Sequence, residues 1–389
     1  MHSRRVTMQL PGEDEPGLRA AESWFLSQGL PTVLPRQALL RRVWSRSAPA
    51  LAGLAAMALN SIIVVRLTGH RTVDINGRPN LTEGFVLALL TVALPGAALT
   101  GWLVSRLSTR GRTVAGWLAT GVVAVGVLFG GPGPHLVGRI LLWVGALAVI
   151  LLLTASGAGS ILSWTARSTL ANLALVKGMF VRALPVVLLT FLVFFNTYVW
   201  LMAAIVSRGR LWLAVGFLFV IAGAFLVSGT LDRVRPMVES PSSLSEEHSE
   251  LAGTPFTAMA EPADSPPLSH RERINVAFVV ATSQLGQVLT AAALTGAIFF
   301  AFGLILVSPE LLDAWTRDQG AHDGRLLGMT LPIPDPLIQT TLLLTAITFM
   351  YLSAKAVTDR EYREAFVDPL IADLQRTLLA RDRYRAALE

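Results

Sequence analysis

Apolar residues arrive in long unbroken runs separated by short clusters of arginine, glycine and proline, and eight of these runs are each about one bilayer long. A hydrocarbon core of about 30 Å needs roughly 20 helical residues at 1.5 Å each. The runs at 48–65, 84–104, 113–130, 138–156, 183–206, 211–230, 288–307 and 336–354 approach or exceed that length. The third is short and glycine-rich, so a six- or seven-span reading stays open. The pattern predicts an all-α fold: a polytopic transmembrane helical bundle of about eight spans, with amphipathic interfacial or cytoplasmic helices between them.

The intervening segments divide the chain further. Residues 1–47 form an N-terminal segment in which Trp24, Phe25 and Leu26, then Leu39, Leu40, Val43 and Trp44, mark a helix for the membrane interface or for packing on the bundle. Four spans follow over 48–156, then an amphipathic helix and two spans over 157–235. Residues 236–270 hold six prolines, seven serines and five glutamates, a composition that predicts a disordered linker. A second amphipathic helix and two spans fill 271–357, with a loop at 308–335. In the 358–389 tail, Thr358 and Glu361 read as a capping box, and Tyr362, Phe366, Leu370, Leu374 and Leu378 recur at helical spacing. The third and fifth of these units look like an internal repeat. Phe194–Phe195 match Phe299–Phe300, and Asp232–Arg233 match Asp359–Arg360. Both units enter from one side, so the repeat implies a parallel pseudo-twofold and a seam between units.

Composition sharpens the class. Charged residues are 15% and hydrophobic ones 53%, with mean hydropathy +0.56, against about 25% charged in a soluble domain. There is no cysteine, which excludes disulfides, thiol nucleophiles and Cys-held metal clusters. The first 30 residues carry Arg4, Arg5 and the Glu13–Asp14–Glu15 run and no long apolar core, so the first span is expected to be a retained anchor. Placing the N-terminus inside puts 24 of the 32 Lys and Arg on the cytoplasmic side, which predicts a plasma-membrane protein with both termini cytoplasmic. The basic residues cluster at span ends rather than in one patch. Anionic lipid headgroups at the cytoplasmic face are therefore the expected partner, with no nucleic acid and with a homo-oligomer or a membrane-protein partner left open.

Candidate chemistry is sparse. No Walker sequence, dinucleotide-binding glycine pattern, Gly-x-Ser-x-Gly elbow or His-Glu-x-x-His occurs. The six histidines lie in loops or tails, and Asp318, His322 and Asp323 fail the calcium-loop spacing. No catalytic, cofactor or metal site is assigned. The span interiors hold no Asp or Glu, which argues against a proton pump built on buried carboxylates, and Arg139 at the edge of span four is expected to snorkel. What remains is Pro95–Gly96 in mid-span two, where proline frees a backbone carbonyl, and the polar residues Asn60, Asn196, Tyr198 and Gln339. These six residues are the candidate ligand seam or kink, with helix packing as the competing reading. Ala97–Gly101 and Ala292–Gly296 are pairs that would permit close helix contacts.

The stretches AESWFLSQGLP (21–31) and TDREYREAF (358–366) resemble those of multi-pass integral membrane proteins of high-GC actinobacteria that carry no assigned function. The 30 arginines against two lysines suit a GC-rich genome. The resemblance implies fold and location and carries over no functional residue. Three readings result. The first is non-enzymatic handling, sensing or transport of a lipid or other apolar ligand. The second is an assembly or regulatory subunit that docks a partner through its cytoplasmic helices. The third is a membrane enzyme acting on a lipid-linked substrate.

Overall fold

The computed structural model describes residues 16–40, 43–70, 73–75, 79–130, 135–171, 190–239, 251, 253–257, 259, 268–317, 319, 323–326, 329–358 and 368–386. Two short helices, α1 (Pro16–Ser27) and α2 (Arg36–Leu40), lead into α3 (Val43–Thr68), α4 (Leu81–Ser105), α5 (Thr109–Phe129) and α6 (Leu136–Ser156). After α7 (Ala158–Ala171) come α8 (Thr197–Ile205), α9 (Arg208–Glu239), α10 (His270–Leu306) and α11 (Pro309–Thr316). A hairpin of β1 (Gly324–Leu326) and β2 (Met329–Leu331) precedes α12 (Asp335–Thr358) and α13 (Asp368–Ala386). Seven helices are long and apolar enough to cross a membrane: α3, α4, α5, α6, the Arg208–Thr230 part of α9, α10 and α12. The protein is a polytopic helical membrane protein. The weak third run is an unbroken helix, α5, capped by Ser108. Of the 183–206 run, residues 183–189 lie outside the described residues and the remainder is interrupted at Asn196.

In the N-terminal unit α3 is the central helix. A Cβ added to Gly53 would sit 3.1 Å from the Ala97 carbonyl oxygen, and one on Gly101 would sit 2.9 Å from that of Pro49, so α3 and α4 run antiparallel in backbone contact. Small residues let dispersion and weak backbone contacts replace the hydrophobic drive that lipid does not supply. This is the contact expected of Ala97–Gly101. On another side of α3, Gly116 faces Ala48, Gly126 faces Ala58 and Gly130 faces Ile62, so α5 runs parallel to it.

The C-terminal unit is built around α12, which packs on α8, α9 and α10. Gly296 lies against Thr345 and Gly303 against Leu337, which makes α10 and α12 antiparallel, with Ala292 fully buried beside them. By contrast α9 is parallel to α12: Arg208 pairs with Asp335, Phe219 stacks on Phe349 with centroids 4.4 Å apart, and Gly229 abuts Val357. Phe194 and Phe299, a pair matched in the sequence, are stacked at 5.6 Å.

We call proximal the side on which α3 begins and distal the side on which it ends. At the distal side the α3–α4 loop reaches the β-hairpin: Ile75 N donates to Thr330 O at 3.1 Å, Thr330 N to Val73 O at 2.9 Å, and Thr330 Oγ1 to Asp74 at 2.9 Å. At the proximal side Phe25 of α1, Phe256, Val276 and Val279 of α10, and Leu374, Leu378 and Tyr384 of α13 form one buried cluster. The aromatic stretch at 20–30 thus packs on protein rather than lying alone in the interface. The 236–270 stretch also differs from a wholly disordered linker. Its residues Leu251 and Phe256 are buried, with Phe256 against Trp24 at 5.0 Å and Phe25 at 5.1 Å, whereas 240–250 and 260–267 lie outside the described residues. A polar composition averages away two apolar anchors of this kind. The Thr358–Glu361 capping box also lies outside the described residues, as does the Tyr362 and Phe366 part of the tail pattern.

Candidate functional site

The structure does not gather the six candidate residues into one place. Pro95 is exposed within an unbroken α4, and the position of a Gly96 Cβ would meet only Val92 of its own helix. The proline therefore points away from the bundle. Asn60 is half-buried on α3 of the same unit, while Asn196, Tyr198 and Gln339 belong to the C-terminal unit. Gln339 is buried on α12, where its Nε2 donates to Asp335 at 2.8 Å and its Oε1 has no partner.

Asn196 and Tyr198 mark the break in the fifth apolar run. Residues 190–194 are helical, the chain turns at Phe195–Asn196, and α8 restarts at Thr197. Two side chains stabilise the break: Asn196 Oδ1 accepts from Tyr198 N at 3.0 Å, and Trp200 Nε1 donates to the Phe194 carbonyl at 2.6 Å. The asparagine thus acts as an N-cap, its usual role where orphan amides need an acceptor. A nine-residue α8 rises about 13 Å, so the break lies about that far below the distal turn at Val206–Arg208. Phe194 and Trp200 face inward onto Phe299, Leu312, Leu337 and Leu344. Asn196, Thr197 and Tyr198 face outward, Tyr198 at 71% exposure, with Leu192, Met202 and Ile205 exposed around them. A polar interruption on a surface otherwise suited to acyl chains is unusual, because irregular backbone at membrane depth is normally covered by protein or lines a cavity.

Gln339, singled out in the sequence, belongs to a second and larger set of buried polar groups. Asn275, Ser283, Gln284, Gln287 and Thr295 of α10 and Gln339, Thr340, Thr341, Thr348 and Ser353 of α12 are buried. Thr230 Oγ1 of α9 donates to Gln284 Oε1 at 2.6 Å, joining α9 to α10. Among the described residues, the hydroxyls of Ser283, Thr340, Thr341, Thr348 and Ser353 and the Nε2 of Gln284 have no hydrogen-bond partner. At the proximal end Glu272 is 3% exposed, and its carboxylate is saturated. Arg381 donates twice, at 3.0 and 3.1 Å, Arg385 lies at 3.0 Å, and Ser269 donates from N and Oγ at 2.8 Å. The Ser269-x-x-Glu272 capping box was a visible signal for this acid, whereas nothing in the sequence marked Arg381 as its partner. Arg139 is likewise not where expected: it is 5% exposed instead of snorkelling.

Asp318 and His322 lie outside the described residues, and among the described residues no group of three or more His, Cys, Asp or Glu could hold a metal ion. No family model matches the chain, and no curated protein or solved structure is significantly similar to it.

Proposed function

We propose that this membrane protein handles an amphiphilic ligand of the lipid class without chemistry, binding it on the outward face of the broken fifth segment. The observation that carries the reading is the exposed Asn196–Thr197–Tyr198 step set between Leu192 and Met202–Ile205. The amide and phenol would meet an ester, hydroxyl or headgroup oxygen. The flanking aliphatic side chains would meet the hydrocarbon chain. Phe194 and Trp200 hold the break from behind, so the surface is formed before ligand arrives.

Photo-crosslinking with a diazirine-bearing phospholipid in reconstituted membranes tests this. Labelling is expected to concentrate on the peptide carrying residues 190–205 and to fall by severalfold in N196A/Y198F. Equal labelling of the folded variant would overturn the reading. The subunit reading has less support, since the apolar faces of α1 and α13 are buried against each other and against α10. A partner there would have to use their polar outer surface.

A further inference from the structure

The arginine that opens α6 is in an unfavourable setting by three independent measures. Arg139 is 5% exposed, and its Nε and Nη1 have no hydrogen-bond partner among the described residues. Among the described residues no carboxylate pairs with it. It also stands in the first turn of α6, where the helix macrodipole and the unpaired amides already present partial positive charge. A buried guanidinium without a counter-charge is among the least favourable arrangements a helical bundle can hold. One turn deeper, Trp143 is buried with its Nε1 also unpartnered. The two residues are four apart and so lie on one face of the helix. Their orphan groups are all donors, which restricts the chemistry: the missing partner is an acceptor, and the charge requires it to be anionic.

We propose that Arg139 and Trp143 form the donor side of a binding site for a phosphate-class oxyanion at the distal end of the N-terminal unit. An anion there reverses all three penalties at once. It neutralises the guanidinium, accepts from the three donors, and complements the N-terminus of α6. The antiparallel register fixed by Arg46 Nη2 donating to the Thr154 carbonyl at 3.4 Å brings α3 residues Asn60 and Ser61 to the depth of Arg139. Arg139 is the fourth residue of α6 and so lies about 5 Å inside the helix start. This site is in the other unit from the Asn196 surface and does not depend on it.

The test uses the full chain in a neutral maltoside detergent, stripped of lipid. Phosphatidylglycerol is added in one arm and inorganic phosphate in the other, with retained lipid counted by native mass spectrometry and thermal unfolding followed in both. Wild type is expected to gain stability in at least one arm, and R139M to gain in neither, with affinity at least about tenfold weaker in R139M and W143F. Without anion, R139M should be the more stable protein, because it removes an uncompensated buried charge. R139K keeps the charge but loses the fork and should show a reduced gain. A gain with phosphatidylglycerol alone identifies a lipid headgroup as the source, and one with inorganic phosphate identifies a soluble anion. Identical gains in wild type, R139M and R139K, or an R139M less stable than wild type without anion, would overturn the proposal.

Discussion

The residue contact with the largest expected effect on stability is the Glu272 carboxylate. Five donors converge on it from Ser269, Arg381 and Arg385, in a site where Arg381 itself is only 2% exposed. Removing one member of such a pair leaves the other buried with only part of its compensation, Asp382 for Arg381 and Arg385 for Glu272, so about 3–5 kcal/mol is an upper bound on the cost, whereas removing both together is milder. R381A and E272A are therefore each expected to lower the unfolding midpoint sharply, and the double variant to recover much of the loss. Thermal unfolding of the three proteins in detergent checks this, and additive losses would show that the pair is not coupled. The capping half of this arrangement was legible, since Ser269-x-x-Glu272 is a local pattern. The arginine that completes it lies more than a hundred residues along the chain, in a tail whose charges balance, and no local pattern encodes a tertiary ion pair. Arg139 was misjudged for a related reason: snorkelling is an average property of arginines near span ends, and burial is decided by neighbours such as Trp143 that composition does not place.

At the scale of elements, the spans were legible because bilayer thickness imposes a length that periodicity and composition both report. Seven of the eight runs became single helices whose cores match those runs. The glycines inside them carried less visible information. Gly126 and Gly121 stand five residues apart in the same helix and look alike in sequence. A Cβ on Gly126 would sit 2.9 Å from that of Ala58, whereas one on Gly121 would meet nothing within 4 Å. Leucine at 126 must part α3 from α5, and overpacking of this kind costs about 1–3 kcal/mol or more. Leucine at 121 points outward and improves helix propensity. G126L is thus expected to unfold earlier than wild type and G121L to match or exceed it, as measured by fluorescence-detected gel filtration after heating. The break at Asn196 was hidden for the converse reason. Its neighbours Phe191 to Phe195 and Val199 to Ile205 are as apolar as those of a continuous span, and the Asn196 cap together with the inward donation by Trp200 to the Phe194 carbonyl sustains the interruption there.

For the whole molecule, parity is the constraint. Helices α1 and α13 meet in one proximal cluster, so both ends of the described chain lie on the same side. Seven crossings would place them on opposite sides. The broken run containing residues 190–194 and α8 is therefore expected to supply an eighth crossing, and Gly17 and Gln319, both exposed, to lie on opposite faces of the membrane. Because the chain has no cysteine, single cysteines at these two positions report without background. A membrane-impermeant maleimide applied to intact cells should label one of the two positions and spare the other. Labelling of both from one side would remove the crossing. The distal strand contact of Val73–Ile75 with Thr330 joins the N-terminal and C-terminal units through segments that no local pattern in the sequence relates.

The proximal cluster also orders events during synthesis. Phe25 leaves the ribosome long before Tyr384, yet their rings end 5.4 Å apart. Until α13 is made, α1, the Phe256 segment and the buried face of α10 have no lid, and Glu272 lacks its arginines. Every stop codon or cleavage that removes α13 leaves that same aromatic and acidic surface open, so one exposed patch marks each chain that lacks α13 and gives a protease or chaperone a single feature to read.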